Sequence, residues 1–427
     1  MKLAKVYIIS LVFLFINYGI ANAKENIELT PLGGIKNGNL GDIPAWQEGQ
    51  TNTLDKTIQF TINFSNYKQH QDNLTAGQIA LFEAYPDTFR MPIYSTQRTA
   101  VAPQWVYKNT KENIDTARLN KDQSGFENAK AGIPFAIPES ALEVYFNHIS
   151  RWRGLQVESI ASDAVVLKNG KYSLITRQSL ARFDHYIKDL ESEYFVSVIG
   201  KTLAPATRSG SGVLVLEPLD QLNKSRSAWL WDKGRRRVIR APNVAYDQPI
   251  ATASALRTSD DTDMINGSPD RFNWELLEKR EIYLPYNNET LASKDLRYKQ
   301  ILDKGHINPE LTRYELHRAW VIRATLKDKW RHVYTQRDFY IDEDSWQVLV
   351  ADQYNKQGEL WRVSMSYPKF YKQLPGLFPV INVYHDLQSK EYHVMGLKNE
   401  QTNDIVFNGE IAKNSLFTPS GFKRYMR

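Results

Sequence analysis

YELHRAWVIRATLKDKWRHVYTQRDFYIDEDSWQVLVADQYNKQGELWRVSMSY, residues 314–367, carries the architecture of this chain. Trp320 and Ile322 alternate with Val321 and Arg323, and Trp346, Val348 and Val350 alternate with Gln347 and Leu349. Trp361, Val363 and Met365 alternate in the same way with Arg362 and Ser364. A period of two marks strands, whose successive side chains face opposite sides of a sheet. The spacing predicts strands over 314–326, 332–341, 346–354 and 359–367, joined by Asp342-Glu343-Asp344-Ser345 and Asn355-Lys356-Gln357-Gly358. Links this short admit antiparallel neighbours only, because a parallel crossover needs a dozen residues or more.

The same period extends outward from this block. Strands are expected at Ala164–Leu167 and Tyr172–Thr176, around the hairpin signal Lys168-Asn169-Gly170-Lys171. Others are expected at Gly212–Leu216, Ser227–Trp231, Val238–Arg240, Arg280–Leu284 and Tyr392–Gly396. One prominent helix interrupts them over Ser140–Arg153. Ser140 and Glu143 form a capping box, Leu142, Tyr145, Phe146, Ile149 and Trp152 fall at helical spacing, and Gly154 is the stop. The chain is therefore mainly β (α+β), a large antiparallel sheet with one covering helix.

Residues 24–138 read as a Pro/Gly-rich N-terminal extension that packs on the core as a wrapping arm. Pro31, Pro44, Pro86, Pro92, Pro103, Pro134 and Pro138 prevent long elements there. One short helix is expected after the capping box Thr75-Ala76-Gly77-Gln78, ended by Pro86. Residues 1–23 have the form of a secretory signal peptide: Lys2 and Lys5, an apolar run over 6–16 and the small-residue site Ala21-Asn22-Ala23. An uncleaved anchor is the competing reading. The organisation expected is 1–23 leader, 24–138 extension and 139–427 main body, in an exported, periplasmic protein.

Composition narrows the chemistry. The 427 residues contain no cysteine, which removes disulfides, thiol nucleophiles and thiolate metal sites. A formal charge of +6 is small for this length and does not suggest nucleic acid. No hydrolase elbow, zincin, P-loop or dinucleotide motif occurs, so no catalytic residue and no cofactor is assigned. His317 and His332, on strands expected to be adjacent, invite a two-histidine zinc site; surface or structural histidines are the ordinary alternative. Asp260, Asp261 and Asp263 invite Ca²⁺ or a metal-assisted hydrolase, but the EF-hand spacing fails. Carboxylates that cap turns or pair with nearby arginines are the preferred reading of that loop.

Two features remain as candidate sites. Arg235, Arg236, Arg237 and Arg240 sit at a hairpin tip, either meeting a partner or lipid headgroup or protecting a sheet edge. Trp320, Ile322, Trp346, Val348, Trp361, Val363 and Phe146 are the residues expected to line a ligand cavity between sheet and helix. Ordinary core packing is the competing reading. An acyl chain of about 16 carbons entering such a cavity would gain on the order of 12 kcal/mol, at roughly 0.8 kcal/mol per CH₂.

Long motifs carry a resemblance. LTPLGGIKNGNLGDIPAW (29–46), AYPDTFRMPIYSTQRTAVAPQWVY (84–107) and WDKGRRRVIRAPNVAYDQPI (231–250) are three of them. LRTSDDTDMINGSPDRFNWELLEKREIYLPYNN (256–288), TRYELHRAWVIRATL (312–326) and YIDEDSWQVLVADQYNKQGELWRVSM (340–365) are the others. With these the chain resembles a Gram-negative family of exported proteins of unknown function, outer-membrane lipoprotein-sorting-like, which is similar to the periplasmic lipoprotein-localisation factors. The resemblance implies an incomplete antiparallel half-barrel lidded by a helix, over 139–427, around a hydrophobic cavity. It also implies a periplasmic carrier of a lipid or other hydrophobic molecule, working with an RND-type transporter and an outer-membrane protein, with association to the outer membrane. A structural adaptor that docks transporter to outer membrane without cargo is the alternative expectation.

Overall fold

The computed structural model describes residues 28–39, 41–49, 54–241 and 247–427. The expected leader lies outside the described residues. In chain order the elements are β1 (Ile58–Asn63), α1 (Ala76–Ala84), β2 (Arg90–Tyr94), α2 (Gln104–Thr116), β3 (Arg118–Leu119), β4 (Phe126–Glu127) and α3 (Ala141–Ser150). Then come β5 (Gln156–Val166), β6 (Tyr172–Arg182), β7 (Val196–Ala204), β8 (Gly212–Glu217), β9 (Ser227–Asp232) and β10 (Arg237–Arg240). They are followed by β11 (Phe272–Leu276), β12 (Arg280–Pro285), α4 (Tyr298–Ile301), β13 (Tyr314–Leu326), β14 (Gln336–Asp342) and β15 (Val348–Tyr354). The last are β16 (Leu360–Tyr371), β17 (Gly376–Asp386), β18 (Glu391–Leu397), β19 (Val406–Phe407) and α5 (Pro419–Tyr425).

Two meanders make one sheet. Strands β5 to β10 pair in succession, as do β12 to β18, all antiparallel. The pairing of β18 with β5, in which His393 lies opposite Val165, joins the two halves. β11 continues along β13 beyond β12. Among the described residues β10 pairs only with β9, and β11 and β12 only with β13, so the sheet is an open half-barrel and not a closed one.

The four expected strands of residues 314–367 are all present. The second begins at Gln336, because Tyr334 and His332 turn inward to a buried loop. The third begins at Val348: Trp346 takes a positive φ of 58° and donates its N–H to Asp342 O at 2.9 Å, closing the turn. The strands β7 and β17 and the first half of β5 escaped the sequence reading.

The arm contributes more structure than expected. The capping box of Thr75 and Gln78 opens α1 as the sequence predicts. In addition β1 and β2 pair with each other, and Ile93 of β2 meets Tyr314 of β13 in a parallel contact. α2 begins directly after Pro103, which is pre-set for a helix start. The second capping box, Ser140 with Glu143, opens α3. That helix stops at Ser150, short of the expected Arg153, and Trp152 turns away so that its indole N–H reaches Leu374 O at 3.0 Å.

Both faces of the sheet are covered. On one, α1 packs over β15 and β16, and Leu81 and Phe82 join Val321, Tyr340, Val350, Val363 and Met365. On the other, α3 packs over β11 and β13, and Tyr145 and Phe146 join Ile322, Phe339 and Ile341.

Candidate functional site

The covering helix is α3, and its C-terminal end is fastened to the sheet. The buried ring of His148, near its C-terminus, accepts the Val348 N–H at Nδ1 (3.1 Å) and donates from Nε2 to Asp263 O (3.0 Å). Burial pushes His148 down to about 3, and the nearby Arg151 adds to this, so the ring is neutral and suits both bonds. The N-terminal end satisfies its own N–H groups through Ser140 and Glu143.

That end borders a cleft of about 250 Å³. Leu142, Leu222, Phe272 and Trp274 supply its apolar wall, and Asp270 and Lys327 its polar rim. Trp274 also packs on Tyr145 (ring centroids 5.2 Å) and on Phe339 (6.2 Å), so the wall of the cleft is continuous with the core beneath α3.

The structure divides the seven expected cavity residues. Phe146, Trp320, Ile322, Trp346 and Val348 share the α3 face, where Trp320 stacks on Trp346 at 6.1 Å. Val363 lies on the opposite face, under α1. The reason is a bulge. Ile341 pairs with Val348 but Tyr340 pairs with Val350, so Leu349 is an extra residue and the period of two breaks there. The face of Ile322 then runs through Phe339 and Ala351 to Ser364, one residue out of step with Val363. Trp361, at the start of β16, is half-buried against the Tyr334 ring (5.8 Å) and the Arg362 guanidinium (3.9 Å). None of the seven lines the cleft. Trp346 in particular is core: it is wholly buried and its indole N–H donates to Leu32 O at 2.7 Å, so the arm occupies its surroundings.

The arginines stand where the sequence put them. Arg235, Arg236, Arg237 and Arg240 are all exposed on the β9–β10 hairpin. Arg235 approaches Asp232 at 3.8 Å; among the described residues no acid pairs with the other three.

The acidic loop is engaged by basic groups brought from distant segments, and not by the arginines nearby in the sequence. Arg337 bonds Asp260 (2.7 Å) and Asp261 (2.8 Å), and His332 reaches Asp260 at 3.1 Å. Arg151 and Arg153 grip Asp263 at 2.5 and 2.6 Å. Burial pushes Asp260 and Asp263 up, but Arg337 on the first and Arg151 with Arg153 on the second hold both well below the usual carboxylate range. Arg337 and Thr258 bridge Asp260 and Asp261 while Asp263 is held separately, and among the described residues the three do not group as a candidate metal site. Nor do His317 and His332 meet: His317 lies opposite Ile282 of β12, whereas His332 belongs to the Asp260 loop.

A second polar cluster was not legible beforehand. The turn Asp342-Glu343-Asp344, which reads as solvated, is buried. Arg98 from the arm forks onto Asp344 (2.7 and 2.6 Å), while Lys279 and Arg318 hold Glu343 at 2.9 and 3.2 Å. Beside them Glu315 accepts from Arg313 (2.5 Å) and Asn287 (2.9 Å) and faces His317 Nε2 at 3.2 Å. Asp342 accepts from Tyr286 OH at 3.1 Å. Burial, and then Asp344, raise the Asp342 pKa. The stretches 29–46, 84–107, 312–326 and 340–365, far apart in the chain, all send groups to this one place.

Fold and site together define an open antiparallel half-barrel with a helix over its apolar face and an N-terminal arm bound through a buried ionic cluster. The chain belongs to the family described as "Protein of unknown function (DUF1329)", whose model matches residues 61–423. An uncharacterized protein of Pseudomonas aeruginosa is 41% identical over 423 residues, covering 94% of this chain and 92% of that one. Among solved structures, a DUF1329 family protein from Desulfovibrio piger aligns with a TM-score of 0.45 at 12% identity, over 65% of this chain and 95% of that one. A LolA superfamily protein from Nitrosomonas europaea aligns with a TM-score of 0.39 at 14% identity, over 66% and 98%.

Proposed function

We propose that the protein is a periplasmic binding protein that carries a hydrophobic molecule, an acyl chain or similar lipid, in partnership with an RND-type envelope transporter. The observation that supports it is the cleft at the N-terminal end of α3. Its apolar wall of Leu142, Phe272 and Trp274 leads directly into the aromatic core under that helix. A chain end could enter there and extend by lifting α3 about its His148 anchor, exchanging helix–sheet contacts for ligand contacts of the same apolar kind. At roughly 0.8 kcal/mol per CH₂, each buried methylene offsets part of that exchange. The leader pattern of residues 1–23 supports export. Among the described residues no helix is long and apolar enough to cross a membrane.

The test is native mass spectrometry of protein purified from periplasm, with organic extraction, beside uptake of the fluorescent probe N-phenyl-1-naphthylamine by delipidated protein. A discrete co-purifying lipid, and probe uptake reduced by Trp274→Ala, support the carrier. Absence of lipid together with absence of probe uptake by the wild type overturns it.

A second reading, the cargo-free docking adaptor, is favoured by the exposed tip Arg235–Arg237 at an edge of the sheet. Reversing these three charges to Glu would then abolish capture of the transporter or outer-membrane partner; capture unaffected by the change removes the tip as the docking surface.

A further inference from the structure

We propose that His317, Asp342 and Asp344 form a binding site for one divalent metal ion of the zinc class, buried where the N-terminal arm docks on the sheet. One ligand atom from each, an imidazole nitrogen and two carboxylate oxygens, lies within 4.8 Å of the others. One imidazole with carboxylates is a donor set suited to Zn²⁺, with Mn²⁺ the next candidate.

Each ligand is held from behind. Glu315 Oε2 faces His317 Nε2 at 3.2 Å and takes its N–H, which leaves the lone pair on Nδ1. The Tyr286 ring stacks on the imidazole at 3.8 Å and fixes its plane. Asp342 Oδ2 accepts from Tyr286 OH (3.1 Å), Ser345 N (2.9 Å) and Ser345 Oγ (2.5 Å). Arg98 positions Asp344 with its two-bond fork. Carboxylate-backed histidine and hydrogen-bonded carboxylate ligands are how metal sites are oriented.

The second observation is Asp342 Oδ1. It has no hydrogen-bond partner, its residue is 0% exposed, and it faces His317 Nδ1 at 3.8 Å. A buried carboxylate oxygen opposite an imidazole lone pair is unfavourable unless something positive sits between them. The saturated Asp260–Asp261 cluster offers no such atom, so acidity alone does not distinguish the two places. A metal here would join the β13–β14 pair to the arm through Asp344 and Arg98, and its role would be to fasten that joint.

The experiment uses untagged mature protein purified without chelator. Elemental analysis should find close to one zinc or manganese per chain. Stripping with dipicolinate should lower the melting temperature by several degrees, and added Zn²⁺ should restore it. Asp342→Asn and His317→Gln should each weaken Zn²⁺ binding at least 100-fold, and Glu315→Gln by 10- to 100-fold. X-ray absorption of the loaded wild type, which needs no variant to fold, should report one nitrogen and otherwise oxygen ligands. Wild-type protein that holds no metal as purified and shows no shift with either Zn²⁺ or Mn²⁺ overturns the proposal. Binding that persists in a folded Asp342→Asn variant overturns it equally.

Discussion

The guanidinium of Arg98 meets the carboxylate of Asp344 in a fork of two hydrogen bonds, 2.7 and 2.6 Å, across 246 positions of sequence. Its remaining N–H groups donate to the carbonyls of Ile35, Lys36 and Pro44, so one side chain gathers the arm and pins it to the turn after β14. Both partners are almost wholly buried, at 1% and 2% side-chain exposure. Such a pair adds little net stability over an apolar equivalent, yet breaking it strands a buried charge.

Arg98→Ala should therefore cost about 3–5 kcal/mol, the usual penalty for an uncompensated buried partner. The urea midpoint should fall, and limited proteolysis should begin to cut within residues 28–46. Arg98→Lys, which keeps the charge but loses the fork, should fall between wild type and alanine. An unchanged midpoint in Arg98→Ala would show that the arm is held by something else.

Gly77 sits where α1 touches the sheet. A Cβ there would lie 2.1 Å from Asp352 Oδ1 and 2.6 Å from Val363 Cγ1. Gly77→Ala gains helix propensity but must push α1 off β15 and β16, and overpacking of this kind costs about 1–3 kcal/mol. The melting temperature should drop although the same change in an exposed helix would raise it; a rise here would contradict the contact.

Asp352 accepts the Gly77 N–H at 3.0 Å from a fully buried position. Burial pushes its carboxyl from 3.8 up to about 7. A pKa raised on folding means that the folded protein holds the proton more tightly. Its stabilising contribution is complete below about pH 3.8 and is lost as pH rises through about 7. At 1.36 kcal/mol per pH unit the change is on the order of 4 kcal/mol. Stability measured by urea unfolding between pH 4 and 8 should thus decline less steeply in Asp352→Asn than in wild type. Parallel pH profiles would refute this.

The cleft gives a fourth expectation. Leu142→Glu places a charge on the apolar wall at the N-terminal end of α3, where the half-buried side chain can stay hydrated. Probe uptake should fall several-fold with little change in melting temperature. Trp320→Asp, by contrast, sets a charge against Trp346 in the packed core and should lower stability before it affects uptake. Equal uptake by folded Leu142→Glu and wild type would move the ligand elsewhere.

Local order was readable in the chain because it rests on local physics. Period-two alternation over 314–367 yielded four strands, short links forced them antiparallel, and Thr75–Gln78 and Ser140–Glu143 marked two helix starts. The exposure of the arginines at the β9–β10 tip was legible for the same reason, whereas the partners of Asp260, Asp261 and Asp263 came from distant segments. What lay beyond the sequence depends on partners far along the chain. Nothing local says that His393 will face Val165, or that β1 and β2 of the arm will pair and touch β13. One bulged residue, Leu349, was enough to send Val348 and Val363 to opposite faces, because a single extra residue inverts every side chain that follows it. The turn Asp342-Glu343-Asp344 looks solvated by composition and is buried only because Arg98, Lys279 and Arg318, brought from distant positions, supply the charge that makes its burial tolerable. Tertiary structure alone assembled that cluster, since ionic compensation is a property of distance in space and leaves no period in the sequence.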